Sequence, residues 1–353
     1  MEATVTSEMA SEPGLPVEIG RIDKELGKLW EASDDTKTRA SLINLVVYSE
    51  KEASLSSNTE VISAIAGKHA CRAILIVANP TAKESGARAW ISAHCRLQKL
   101  GQRQICSEQI TFRLDGASAG ALPNIVFSHL DSDLPLCMWW QEDFPEPLDE
   151  KLWAWVDRLI YDSSTWMHPK HQFLLMRHLS SSGAKGTVLC DLNWTRLHAW
   201  RFGLAGMFDH AEAFPRLNRV ESLRVVCAPG QNTAALLLIG WFASRLGWTP
   251  LESADAFITP LGGRVSFKIE GKAGPHVSLF SVRCEDAHFE LELKEGAGFF
   301  ETTIHAPGIP ESHQLLPAPN PKLEETLLAE LSRSGRHPLY TQAIDIVLPL
   351  INR

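Results

Sequence analysis

Gly116-Ala117-Ser118-Ala119-Gly120 has the Gly-x-Ser-x-Gly spacing of a serine nucleophile raised on a sharp strand-to-helix turn. That chemistry needs a buried central strand behind the serine and an oxyanion segment beside it. The preceding run EQITFRL alternates apolar and polar residues, as an outer strand does, and no His-Gly-Gly segment is present. Five residues of Gly, Ala and Ser also make a plain turn. Ser118 is therefore a candidate for hydrolase chemistry, beside the reading as a loop. Phosphate-binding signals are weaker. SSGAKGTV (181–188) lacks the Gly-x-x-x-x-Gly-Lys-Ser/Thr order and reads as a linker. APGQNTAA (228–235) joins a strand to a helix start, where free N–H groups cap the helix or hold an anion. His168, His171 and His178 come without a His-Glu-x-x-His pattern. No catalytic residue, cofactor or metal is assigned from these motifs.

The stretch DLNWTRLHAWRFGLAGMFDH (191–210) is more unusual. Read as one helix, it places Trp194, Leu197, Trp200, Arg201, Leu204 and Phe208 on one side, with small or apolar residues opposite. A helix apolar all round is buried. A buried guanidinium without a partner costs several kcal/mol. Arg201 must then face a carboxylate, backbone carbonyls or a bound anion, and Asp162 and the acids at 142–150 are the candidate partners. Arg196 lies nearer the rim. Of 11 tryptophans, nine fall between 139 and 248, as buried core or as a contact surface. Trp139 and Trp140 end an apolar strand, LPLCMWW, that runs into an acidic, Pro-punctuated loop. Ligands and partners dock beyond the strand ends of α/β sheets, and the alternative is a solvated loop.

The elements that must position these residues follow from periodicity. Residues 1–16 read as a disordered arm. VEIGRIDKELGKLW is an amphipathic helix, LINLVVYS and CRAILIVAN are buried strands around a short helix, and RAWISAHCRL and EQITFRL are outer strands. KHQFLLMRHL is a helix. NTAALLLIGWFASRLG is another, with Asn232 suited to cap it and Gly247 to end it. Four alternating runs after 255 form an antiparallel meander. A last helix runs from Asn320 and Pro321 to Gly335. The expected class is an α/β domain with a mixed, partly parallel sheet (17–165), then an α+β domain with an antiparallel sheet (166–353).

Composition bounds the rest. The chain has 353 residues, 44% hydrophobic, with net charge −8. A nucleic-acid partner or an anionic membrane surface is disfavoured by that charge. Seven cysteines, none in Cys-x-x-Cys spacing, are expected to be reduced. MEATVTSEMASEPG is not a signal peptide, and the longest apolar run, AALLLIGWFA, falls far short of the ~20 residues that span a bilayer. A cytoplasmic location is expected.

The order and spacing of CRAILIV, LPLCMWW, RLIYDSSTW, DLNWTRLHAWR and LLLIGWFASRLG resemble the OpcA family of glucose-6-phosphate dehydrogenase assembly proteins. The paired tryptophans, with Asp-Leu-x-Trp-x-Arg some fifty residues later, are the specific part. The resemblance implies a non-catalytic protein that binds glucose-6-phosphate dehydrogenase and promotes its active oligomer or effector response. It marks Trp139, Trp140, Asp191, Trp194, Arg196, Trp200 and Arg201 as motif positions, for partner binding or for structure. Gln141 and its acid run depart from the Pro or Arg that many relatives carry there. A sugar-phosphate sensor, with Arg196 or Arg201 holding the phosphate, is a further alternative.

Overall fold

The computed structural model describes residues 13–31, 37–39, 41–97, 104–148, 150–181, 186–251, 253–294, 296 and 298–351. Most of the arm expected at 1–16, and the centre of SSGAKGTV, lie outside them. Two compact units divide the chain. Unit 1 takes 1–161, 179–189 and 323–334; unit 2 takes 162–178, 190–322 and 335–353.

The elements, in chain order, begin with β1 (Leu15–Val17), α1 (Ile22–Glu31), β2 (Lys37–Arg39), β3 (Ile43–Ser49), α2 (Ser54–Ala66), β4 (Cys71–Asn79), β5 (Gly86–Leu97) and β6 (Gln104–Asp115). Then come α3 (Leu122–His129), β7 (Leu136–Trp140), α4 (Glu150–Trp153), β8 (Arg158–Tyr161), α5 (Pro169–Ser181) and β9 (Val188–Asp191). Leu15–Val17 pair with β5, so the arm does not extend over them. The sheet of unit 1 runs β1-β5-β6-β4-β3-β7-β8-β9, with β2 beside β6. From β6 through β8 all pairs are parallel. β3 and β4 are apolar on both faces and buried along almost their whole length, as parallel strands under helices must be. A helix from late in the chain, Leu323–Ser332, returns to pack on α2.

β6 corrects the expectation of an outer strand. It lies inside the sheet, between β5 and β4. Its polar residues Glu108, Gln109 and Thr111 are buried rather than wetted, and they bond one another or side chains of other elements. Gln109 Nε2 donates to Thr111 Oγ1 at 3.0 Å and to Thr59 Oγ1 at 3.3 Å. Glu108 accepts from Trp30 Nε1 at 2.6 Å and faces Arg72. The same hairpin corrects the thiol expectation. Antiparallel register sets Cys95 opposite Cys106, Cα atoms 4.1 Å apart, and the two form a disulfide. The other five cysteines are in no disulfide and are buried.

Unit 2 follows with α6 (Leu192–Arg196), α7 (His198–Gly206), β10 (Val220–Cys227), α8 (Asn232–Arg245), β11 (Thr249–Pro250), β12 (Ala256–Ile258), β13 (Arg264–Gly271), β14 (Val277–Cys284), β15 (His288–Leu293), β16 (Phe299–Ala306) and β17 (Ile309–Pro317). α9 (Leu323–Ser332), the helix that covers α2, belongs to unit 1, and α10 (Pro338–Val347) to unit 2. The helix expected to be last is thus followed by another. The sheet order is β11-β12-β13-β10-β14-β15-β16-β17. It is mixed rather than purely antiparallel, because β10 runs parallel to β13. Of the four alternating runs expected to form one meander, the first becomes β12 and β13, which β10 separates from β14, while β14, β15 and β16 pair antiparallel in sequence and β17, not expected, extends them.

α8 carries eleven buried residues around its whole circumference, as a helix without a polar face must. Gly247, at φ +66°, turns the chain out of it in the left-handed region. α10 packs across α8 at Gly240. A β-carbon there would lie 2.6 Å from Val347 Cγ2 and 2.8 Å from the Ala343 carbonyl oxygen. Backbone cannot yield as a flexible side chain can, so Gly240→Ala is expected to destabilise unit 2 by ~1–3 kcal/mol. Urea unfolding followed by far-UV circular dichroism checks this; an unchanged midpoint would mean the helices separate at little cost.

Candidate functional site

The single helix expected over 191–210 is two. Asp191, extended, caps α6 by accepting from Asn193 N at 3.0 Å, and Thr195 Oγ1 bonds back to the Asp191 carbonyl. The chain then breaks at Leu197 (φ −80°, ψ 5°) and re-enters helix as α7. Nor is α7 buried all round. Phe202 is 73% exposed, and Ala205 and Gly206 face solvent, while Trp200, Gly203 and Leu204 are buried.

Of the partners expected for Arg201, it takes a backbone carbonyl, and Asp162 goes to Arg196 instead. Arg196 takes Asp162, with Nη2 2.7 Å from each carboxylate oxygen and 3.2 Å from Ser164 Oγ. Ser164 also donates to Asp162 through its amide and hydroxyl. Arg201 instead lies over the Trp194 ring, 3.6 Å from its centroid, and Nη1 donates to the Trp194 carbonyl at 2.7 Å. Trp194 carbonyl and ring together provide what a cation inside an apolar stripe requires.

Asp191 is 1% exposed and accepts four hydrogen bonds. Its Oδ1 accepts from the amides of Ser163 and Asn193, both at 3.0 Å. Its Oδ2 accepts from Ser163 Oγ at 2.6 Å and Tyr340 Oη at 3.0 Å. Asn193 Nδ2 closes the ring onto Ser163 Oγ. Burial, then the nearby Asp162 charge, push Asp191 up to about 6, against the pull of the Ser163 and Tyr340 donors. Trp194 packs against Tyr340, and Trp200 meets Phe300 edge-on.

Trp139 and Trp140 lie in unit 1, at the C-terminal end of β7, both 4% exposed. The space beyond the parallel strands is filled by the chain's own side chains. Trp140 stacks on Tyr48, centroids 3.9 Å apart and planes 7° from parallel, and meets Trp153 and Phe144. Glu142 Oε1 accepts from Glu50 N at 3.0 Å and Ser49 Oγ at 3.3 Å, in the turn from β3 toward α2. That turn is where such sheets bind a phosphate, and here a carboxylate holds its donors. Gln141 and Asn58 pair reciprocally beside it. Of the nine tryptophans between 139 and 248, only Trp155 is exposed.

Ser118 sits in a short 3-10 turn between β6 and α3. Its strand is central after all. Among the described residues, however, no histidine or carboxylate bonds its hydroxyl, so it has no base to activate it. The motif residues therefore divide. Asp191, Trp194, Arg196, Trp200 and Arg201 gather in unit 2, and Trp139 and Trp140 belong to unit 1. Ser163, Tyr340 and His276 carry no signal in the sequence that marks them. Ser163 follows Asp162 directly, whereas Tyr340 and His276 join from distant segments without a local motif.

Two family models match the sequence. They describe the N-terminal domain of a glucose-6-phosphate dehydrogenase subunit, over residues 62–178, and the C-terminal domain of that subunit, over 187–344. Together they take in well over half of the chain. The chain belongs to the OpcA family. The OpcA protein of Synechocystis sp. is 26% identical over 326 residues, 82% of this chain and 66% of the relative. That of Nostoc punctiforme is 31% identical over 212 residues, 58% and 44%. Both are named as OxPP cycle proteins. This OpcA-family chain thus spans less than two thirds of the length of either. Among solved structures, it is similar to apo levoglucosan dehydrogenase at 10% identity and a TM-score of 0.44, over 87% of this chain and 90% of that one; a likeness at that level carries nothing about activity. Among the described residues, no helix is long and apolar enough to cross a membrane.

Proposed function

We propose that this OpcA-family chain is a non-catalytic binding partner of glucose-6-phosphate dehydrogenase that promotes the enzyme's active oligomer in the oxidative pentose phosphate cycle of the cytoplasm. The observation that carries the reading is the family match across both units. Two features support a role without bond-making chemistry. The donors of the turn after β3 in unit 1 are taken by Glu142, and Ser118 lacks a base among the described residues.

In this reading the motif residues hold a framework more than they touch the partner. Trp139, Trp140, Asp191, Trp194 and Trp200 are buried. Arg196 and Arg201 retain partial exposure beside the exposed Phe202. Activation requires tighter binding to the active state of the dehydrogenase than to the inactive one. A coupling of ~1–3 kcal/mol shifts its apparent affinity for substrate or effector about 5–150-fold. Titrating purified dehydrogenase with this chain, while following rate and molecular mass together, is expected to show co-elution and a saturable change in activity. Separate elution with an unaltered rate would reject the proposal.

A further inference from the structure

Unit 2 contains a cavity of about 620 Å3 that none of the motif reasoning required. Its walls come from α6 and α7 (Arg196, Ala199, Trp200), the turn before β14 (His276), the end of β15 (Lys294) and the segment after β17 (Asn320). The size is that of small-molecule sites.

Three features of the wall define what would fit. First, its charged lining is cationic. Arg196 and Lys294 face the space, and no carboxylate lines it among the described residues. The acids that balance these cations, Asp162 behind Arg196 and Glu292 and Glu301 behind Lys294, stand outside the lining. Second, Arg196 is fixed and yet under-used. Asp162 and Ser164 engage only Nη2. Its Nε is buried without a partner, and Nη1 makes no hydrogen bond among the described residues. A guanidinium clamped at Nη2, with Nη1 left over and Nε sealed from the cavity, is pre-organised to give Nη1 to an acceptor. Third, the other polar groups are of mixed type. Asn320 both donates and accepts, and His276, whose burial and Arg196 neighbour favour the neutral ring, does the same. Trp200 and Phe300 add apolar wall.

We infer that this cavity binds a small hydroxylated metabolite ending in an oxyanion, phosphate or carboxylate, with the oxyanion on Nη1 of Arg196 and the hydroxyl-bearing body between His276 and Asn320. The site is complete within unit 2. It stands independently of the dehydrogenase reading, because its test uses this chain alone.

Calorimetric titration of the full chain with glucose 6-phosphate, gluconate, glucose and inorganic phosphate tests it. At least one of the two oxyanion-bearing sugars is expected to bind saturably and to raise the thermal midpoint, because a ligand of the folded state must. Glucose, without an oxyanion, is expected to bind at least about tenfold more weakly. Whichever sugar binds tells phosphate from carboxylate, and inorganic phosphate alone reports the oxyanion without the body. Two variants locate the site. Ala199→Phe fills the space and leaves the Arg196–Asp162 pair in place. Arg196→Lys keeps a cation for Asp162 and removes the spare guanidinium donors. Each is expected to weaken binding at least about tenfold. If Ala199→Phe fails to fold, Arg196→Lys decides. The inference is overturned if neither sugar saturates in the millimolar range, or if binding is unchanged in every variant that folds.

Discussion

Asp191→Ala is expected to lower the stability of unit 2 by ~3–5 kcal/mol, more than removal of any single exposed charge in the molecule. The substitution strands the amides of Ser163 and Asn193 and the Ser163 hydroxyl in a buried place, takes one acceptor from Tyr340, and uncaps α6. Each stranded donor costs ~1–3 kcal/mol, and partial relaxation keeps the total below the sum. Asp191→Asn keeps the shape and an acceptor oxygen, and the two hydroxyls can rotate to accept from the new amide, so its cost is smaller, ~1–2 kcal/mol.

The pair also separates charge from shape. Folding raises Asp191 from 3.8 to about 6. Between those values the folded state binds the extra proton, so unfolding free energy falls as pH rises through the window. The contribution is complete below about pH 4 and is lost above about pH 6, for a change of ~3 kcal/mol. Asn does not titrate. Urea midpoints of the Asn variant should therefore gain on those of the native chain as pH is raised from about 4 to 7. A gap of constant size across that range would show that Asp191 is ionised throughout.

The second large effect belongs to unit 1. Trp140→Ala is expected to cost ~3–5 kcal/mol, because the ring fills the space between Tyr48, Trp153 and Phe144 and no neighbouring backbone can collapse into a hole of that size. Trp155→Ala, at a position 69% exposed, should move stability by no more than ~0.5 kcal/mol. Calorimetric melting of the two variants compares them directly. If Trp140→Ala melts with the native chain but loses the dehydrogenase, the paired tryptophans are a contact surface and the core reading of the strand end is wrong.

Legibility in the sequence follows the physics of each segment. Ile43–Ser49 and Cys71–Asn79 are readable as parallel strands because each holds a near-continuous apolar run, with Asn44 and Arg72 the polar residues near its start. β6 misleads because alternation ordinarily means water on one face. Gln109, Thr111 and Glu108 satisfy each other or distant partners instead, and no local pattern separates the two cases. The break at Leu197 carries neither Gly nor Pro. It follows from Asp191 capping one short helix and the chain turning before the next. α10 escapes the sequence reading although its signal is present: Tyr340, Ala343, Ile344 and Val347 recur at helical spacing behind Pro338, and all four are buried. Of the candidate site, family spacing finds the positions but not their partners. Asp191 meets Tyr340 across 149 residues, a separation over which sequence spacing says nothing.

Unit 1 is assembled from three lengths of chain, the last of them 323–334. During synthesis on the ribosome, residues 1–161 emerge without α9, so the face of α2 that this helix covers stays bare until residues 323–334 follow. Vectorial, unit-by-unit maturation is closed to such a topology. The bare face must be shielded in the meantime, and fragments cut between the two family-model segments cannot inherit a finished first unit.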